Sequence, residues 1–479
     1  MYQTLQINNR TISLPTGLFI NGQFMDSKQG AYFDVEDPAT GQVLISIVEG
    51  REDDVDEAEA VRIARDVFDA GDWAHSDPTY QASLLNKLAD LMEENKDDLV
   101  ALECADTGKT PRLCYQVDFP GSVGTLRYYA GWADKVLGQS SFNIPRTFAF
   151  TKREPVGVCG QIIPWNFPMM MFIWKIAPAL ITGNTVVIKS AEATPLSALK
   201  ICELIAKAGF PPGTINLISG YGKTVGSAIA HHMDVDKVAF TGSTATGRAI
   251  LKASASSNLK KVTLELGGKS PNIIFPDADL DKAAEWSAWG INMNFGQTCH
   301  AGTRIYVHEE VYDEFLAKFT QRMKEITNSR MQYEKILGYI DSGVEEGHQQ
   351  GDRGGYYTQP TIFTNVRLEM KIMREEIFGP VVAISKYSSE ADVIKQANNT
   401  PYGLAAACHT KDYERAIRVT GALRAGTTWV NMYNFVHWSI PFGGYKESGI
   451  GRECGEAVLE NYTHTKAVYF NMGLPCPTA

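Results

Sequence analysis

The sequence lacks any Cys-x-x-Cys pair and any Cys/His spacing of the zinc-site kind, so no metal site is expected. Its eight cysteines, at 104, 114, 159, 202, 299, 408, 454 and 476, are too scattered over 479 residues for a disulfide scaffold, which favours a reducing compartment. A long basic block is missing too, and the formal net charge is −10. Non-specific nucleic-acid binding needs clustered Lys and Arg, so it is not expected. The longest apolar run, "FPMMMFIWKIAPALI", is interrupted by Lys175 and Pro178 and falls short of a membrane span. The opening "MYQTLQINNRTISLPTGLF" has no charged-then-apolar pattern and no Arg-rich amphipathic one, and "CPTA" at the other end is no lipidation or peroxisomal signal. A cytoplasmic location is the expectation.

What is present is an ordinary folded composition, 44% hydrophobic and 21% charged, with a length that suggests two or three domains. Two amphipathic stretches come first, "DDVDEAEAVRIARDVFDAG" and "YQASLLNKLADLMEENKDDLVALECAD", each with helical spacing. From about residue 157 short β-branched runs take over: "GVCGQII", "NTVVIKS", "GTINLIS", "DKVAFTGS" and "KKVTLEL". Helical stretches separate them, "PLSALKICELIAKAG", "TVGSAIAHH" and "TGRAILKASAS". Alternating strands and helices imply an α/β fold with a parallel sheet, and ligands in such sheets bind beyond the carboxyl ends of the strands. A second alternating region, about 272–446, has "PNIIF", "RIYVH", "PVVAISKY" and "GTTWVN" as strands. The stretch Glu309 to Gly347 carries a helical pattern that runs too long without a break.

Several residues are candidates for chemistry, each with a bland alternative. Cys299, in "NFGQTCHAGTR", follows a helix that Gly296 ends and precedes a strand, in a loop whose free amides and a nearby positive group would favour the thiolate. An isolated cysteine is more often a buried inert thiol, and the adjacent His300 reads as incidental because neighbouring side chains often point apart. In "KVTLELGGKSP", Val262, Leu264 and Leu266 share one strand face, and Thr263 and Glu265 the other. Burial of Glu265 would raise it toward the range of a general base; exposure would leave it a surface carboxylate. Asn166 in "PWNFP" is either an oxyanion donor or a turn residue beside prolines. "VAFTGSTATGR" is a strand, a turn with Gly242 and Gly247, and a helix start suited to phosphate, although its glycines do not match G-x-G-x-x-G. Lys189 and Glu192 follow a strand that ends on the same sheet edge, where a carboxylate accepts from ribose hydroxyls and repels a 2′-phosphate. A solvated loop is the alternative.

Taken together, "PWNFP", "VAFTGSTATGR", "LELGGKSPNIIF", "FGQTC", "EEIFGPV" and "PFGGYKESGIGRE", in order over about residues 15 to 470, resemble the NAD(P)-dependent aldehyde dehydrogenase superfamily, closest to its broad-specificity cytosolic or mitochondrial members. The resemblance implies a Rossmann-like cofactor domain (1–136 and 156–267), an α/β catalytic domain (268–455) and a small β oligomerisation arm (137–155 and 456–479). It implies NAD-dependent oxidation of aldehydes to acids through a thiohemiacetal and a thioester. Cys299 aligns with the nucleophile, Glu265 with the base and Asn166 with the oxyanion donor. Ile163, Trp165, Lys189, Glu192, Gly242, Ser243, Gly247, Gln332, Glu376 and Phe378 align with cofactor contacts. Phe167, Met170, Trp174, Met293 and Phe442 align with an apolar substrate tunnel, with Trp438 nearby and Gly121 where relatives carry something bulkier, which would widen the mouth. NAD is expected over NADP, a small aldehyde as substrate, and a homodimer or homotetramer. The segment joining "NSRM" to "QYEKILGYI" is shorter than in such relatives, which accounts for the over-long helical pattern and leaves a catalytically impaired or retired member acting as a structural or interaction protein as one alternative. A CoA-acylating semialdehyde dehydrogenase is another; Glu265 argues against it, because a thioester destined for CoA gains nothing from a water-activating base.

Overall fold

The computed structural model describes residues 1–7, 9–55, 60–323 and 358–476. Gln332, and the over-long helical pattern beyond Arg322, lie outside the described residues.

Two parallel sheets organise the chain. In the first, Lys261–Glu265, Lys237–Thr241, Val158–Ile162, Thr185–Lys189 and Ile215–Leu217 lie side by side in that order and run parallel. Short antiparallel strands close both edges, Gly449–Ile450 beside Lys261–Glu265 and the Leu18–Ile20/Gln23–Met25 hairpin beyond Ile215–Leu217. Most of these strands are buried along their whole length, as parallel strands covered on both faces must be. The second sheet is parallel throughout, in the order Thr361–Phe363, Val381–Tyr387, Arg304–His308, Pro271–Ile274, Ala405–His409 and Thr427–Val430. Ala405–His409 was not apparent from its sequence, since alanine favours helix. Here all five residues are buried, and Ile273 pairs with Cys408.

The amphipathic stretch before position 110 is two helices, not one. Pro78–Glu94 and Lys96–Thr107 break at Asn95, whose side-chain amide donates to the Leu91 carbonyl at 2.8 Å. Gly108 then ends the second helix with φ 71°. Thr147–Pro155 pairs antiparallel with Thr463–Asn471 on one side and with Ser140–Ser141 on the other. No described helix is long and apolar enough to cross a membrane.

A buried charge cluster fixes the floor of the cleft described below. Lys109 bonds Asp118 and lies 3.5 Å from Glu103, with all three side chains withdrawn from solvent. Glu103 accepts from the Met169 amide at 3.2 Å, and the Lys109 ammonium lies 4.1 Å from the centroid of the Phe167 ring. Ion, ring and helix start are therefore held as one unit. Lys109→Met leaves two buried carboxyls without their cation. It is expected to cost about 3 kcal/mol in urea unfolding and to weaken substrate binding in parallel, because Phe167 loses its seat.

Candidate functional site

The carboxyl ends of the first sheet and the loops that lead into the strands of the second meet at one cavity of about 1240 Å³. Cys299 stands where the sheets meet. The helix Leu280–Asn292 ends, and Asn294, Phe295 and Gly296 then turn in the left-handed region, with φ 50°, 58° and 71°. Two successive non-glycine residues there are strained and persist only where the surroundings hold them. Asn294 donates to the Asn166 carbonyl at 2.8 Å, and Asn166 donates its own side-chain amide to the Gln297 carbonyl at 2.8 Å. Asn166 is thereby pinned against the cysteine loop with one amide hydrogen committed and a second left for a ligand.

Glycine makes the close approach possible. A Cβ on Gly296 would meet the Gly379 carbonyl oxygen at 2.2 Å, and one on Gly268 would meet the Cys299 carbonyl at 2.5 Å. A Cβ on Gly267 would fall 2.1 Å from a carboxylate oxygen of Glu376, whose other oxygen accepts from the Gly268 amide at 3.1 Å. Glu265 is the last residue of its strand, buried, while Leu264 and Leu266 pack into the apolar cluster on the opposite face.

The electrostatics are those of a dry carboxylate cluster. Burial lifts Glu265 to about 8, with Lys175 opposing the rise and Glu453 adding to it. Lys175 and Glu453 form a buried ion pair behind it. Cys299 is pushed well above an ordinary thiol, chiefly by burial and then by Glu265 and Glu376, while the His300 backbone amide pulls it down. Buried polar atoms without a protein partner concentrate here: Glu265 Oε1, Asn294 Oδ1, Gln297 Oε1, His300 Nε2 and Glu453 Oε2. Such groups are costly unless a ligand or water satisfies them.

One arm of the cavity suits a dinucleotide. Lys189 is buried, donates to Glu192 at 3.0 Å, and is lowered by that burial. Ser243 caps the helix Thr244–Ser256, accepting from the Thr246 amide at 3.2 Å. Gly242 precedes it, where a Cβ would strike the Phe240 ring at 2.5 Å. Ile163, Trp165, Glu376 and Phe378 also line this arm, with the Trp165 and Phe378 rings edge to face at 5.4 Å. The donor set fits diphosphate at a helix start and ribose at a carboxylate. Gly247 does not line the cavity. It lies under Leu266, where a Cβ would meet Cδ2 at 2.8 Å, so it serves helix-on-sheet packing.

The other arm is apolar. Phe167, Met170, Trp174, Met293 and Phe442 all line it, and Trp174 meets Phe442 edge to face at 6.0 Å. Gly121 does not widen the mouth as expected, because Met170 Sδ lies 2.9 Å from where its Cβ would be. His300 is the residue the sequence reading set aside wrongly. Its Nδ1 is 3.5 Å from the Cys299 sulfur, and the ring lines the cavity. Trp286, Trp289 and Phe435 line it as well and were missed, since each reads as plain core or surface by spacing.

The sequence matches the aldehyde dehydrogenase family over residues 24–468. It is 54% identical to an aldehyde dehydrogenase of Alternaria alternata, with 96% of each chain covered. It is 50% identical to aldehyde dehydrogenase 1A1 of Gallus gallus, covering 95% of this chain and 93% of that one. Among solved structures, an aldehyde dehydrogenase from Bacillus cereus in complex with NAD+ superposes with a TM-score of 0.93 at 44% identity, covering 95% of this chain and 96% of that one.

Gly267→Ala tests the seam. The clash falls on the end of a flexible side chain, so Glu376 swings aside and the fold survives. Calorimetry is expected to show dinucleotide affinity down about tenfold, the loss of one charged hydrogen bond, with little change in Tm.

Proposed function

The chain belongs to the aldehyde dehydrogenase family, and from that premise we propose that it oxidises apolar aldehydes to carboxylic acids with NAD, on Cys299. The observation that carries the reading is one sulfur set between a dinucleotide-shaped arm and an aromatic tunnel, with a buried carboxylate and a pinned side-chain amide beside it.

The thiol loses its proton to water in the cleft, and Cys299 Sγ bonds the aldehyde carbon. The carbonyl π pair moves onto oxygen, where the free Asn166 amide hydrogen and the Cys299 backbone amide receive it. NAD, which Lys189, Glu192, Ser243 and Glu376 would hold, would supply the two-electron acceptor for the hydride on that carbon, whose departure leaves a thioester on Cys299. Glu265 next takes a proton from water as the water oxygen attacks the thioester. The carbon–sulfur bond breaks, the acid leaves and the thiolate returns. Glu265 performs this work only as a carboxylate, so turnover rises with pH through about 8.

Finer features follow from the same residues. The Glu192 carboxylate, half exposed beside Lys189, repels a 2′-phosphate and favours NAD over NADP. Residues 1–136 with 156–267 form the cofactor domain, 268–455 the catalytic domain, and 137–155 with 456–479 an arm. On that arm Phe142, Phe148, Phe150 and Phe470 stack together, and Phe142 is 77% exposed. A patch of this kind wants covering, and we assign it to contact between copies in a dimer or tetramer. Cysteines with no disulfide among the described residues fit the reducing cytoplasm.

Benzaldehyde or a medium-chain aliphatic aldehyde with NAD is expected to yield acid and NADH without CoA, and Cys299→Ser is expected to yield neither. A folded wild-type protein that binds NAD but makes no NADH sinks the reading. Glu265→Gln is expected to release one NADH per site in a burst and then to turn over about 10²–10⁴-fold more slowly, as for loss of a general base. Stability moves the other way. Glu265 is raised in the folded state, from 4.5 to about 8, so the native chain binds the extra proton between those values and loses stability as pH rises through them. Glu265→Gln escapes that loss, so its Tm relative to wild type is expected to climb between about pH 4.5 and 8 and to level off above 8.

A further inference from the structure

We propose that His300 is a positioning residue for the nucleophile, its Nδ1–H donating to the Cys299 sulfur; the inference rests on the reading of Cys299 as the nucleophile. Nδ1 lies 3.5 Å from Sγ, and the imidazole is buried. Burial drives the ring down to about 3, so it is neutral and carries one proton. Among the described residues Nε2 has no protein partner, whereas Nδ1 has the sulfur. The tautomer protonated at Nδ1 is the one that leaves no buried donor unmatched. The thiol proton is shared with Glu265, which turns a sulfur lone pair toward the ring.

The ring is held in that pose. Trp429 packs against it at 5.6 Å and Phe442 at 5.2 Å, edge to face, while the Tyr433 hydroxyl donates to the His300 carbonyl at 3.0 Å. The charged groups facing the sulfur are the carboxylates of Glu265, from the strand Lys261–Glu265, and Glu376, from the loop before Val381–Tyr387. Lys175, on the helix Pro168–Ile181, and Glu453 stand behind Glu265. Both facing carboxylates oppose a thiolate. The Nδ1–H, with the His300 backbone amide, offsets them and aims the sulfur along the tunnel axis.

The test needs neither substrate nor cofactor. Cofactor-free enzyme is alkylated with iodoacetamide across a pH series, and modification is followed on the Cys299 peptide by mass spectrometry. Three variants separate the two ring nitrogens: His300→Phe removes both, His300→Asn keeps an N–H at the δ position, and His300→Gln moves it to the ε position. In His300→Phe and His300→Gln the midpoint is expected to rise by about one pH unit, with alkylation near neutral pH about tenfold slower, as when one hydrogen bond to the charged form is lost. His300→Asn is expected to recover most of the rate. Wild-type rates in His300→Phe, or a His300→Asn variant no better than His300→Gln, overturn the proposal. If His300→Phe shows no folding transition, the Asn and Gln pair decides alone. Either negative result leaves aldehyde oxidation by the wild type intact, whereas a wild type without turnover would sink the parent reading whatever the alkylation shows.

Discussion

The structure depends on backbone being allowed to touch backbone where the two sheets meet. Gly268 leaves room for the Cys299 carbonyl, Gly296 for the Gly379 carbonyl and Gly267 for the Glu376 carboxylate. A methyl group on Gly268 would wedge the strand end bearing Glu265 away from the loop bearing Cys299, one on Gly296 would press on the Gly379 carbonyl, and one on Gly267 would push the Glu376 carboxylate aside. The left-handed run Asn294 to Gly296 is the local cost of that approach, and the Asn166 and Asn294 hydrogen bonds hold it in place. Proximity of sulfur, carboxylate and amide is thus a property of main-chain packing first and of side-chain choice second.

Packing this close expels water, and the protonation states follow. Burial and neighbouring negative charge raise both Glu265 and Cys299, so these two are largely protonated at rest. A nucleophile held neutral avoids idle reaction and waits for donors and a cation. The Lys175–Glu453 pair keeps one fixed positive charge behind Glu265 while balancing its own burial. The partnerless oxygens on Glu265 and Glu453 are what a site made for ligand and water would leave open.

Much of this was legible in the sequence because the signals were local. Strand and helix alternation follows from period and composition, and the inward face of Glu265 follows from the two-residue repeat through Val262, Leu264 and Leu266. The cavity also gathers motifs hundreds of residues apart, whose order along the chain matched the family pattern. What failed was whatever depended on packing between distant segments. Gly247 looked like a phosphate glycine, but its missing Cβ faces Leu266. Ala405–His409 hid because burial on both faces, rather than β propensity, makes it a strand. Asn95 breaks a helical pattern that periodicity alone carries straight through. His300 was dismissed on a rule about neighbouring side chains that holds in regular strands; Cys299 and His300 follow the left-handed turn, and there the rule has no force.

The tunnel shows how an absence in the sequence misleads about space. Gly121 and Gly124 lie on one helix, Phe119–Ala130, and each suggests a gap. Met170 Sδ fills the place of the first, and the Trp438 ring approaches within 2.7 Å of where a Cβ on the second would stand. His437 lies against that indole at 4.0 Å and joins it on the cavity wall. The glycines do not enlarge the mouth; they let a thioether and an indole press against the helix backbone, giving a wall of flat, apolar surface. Flat apolar walls gain most from flat or linear apolar ligands, because buried area scales with contact. Chain length and ring size of the aldehyde therefore depend on side chains that reach in from Met170 and Trp438, far along the sequence from the glycines that admit them.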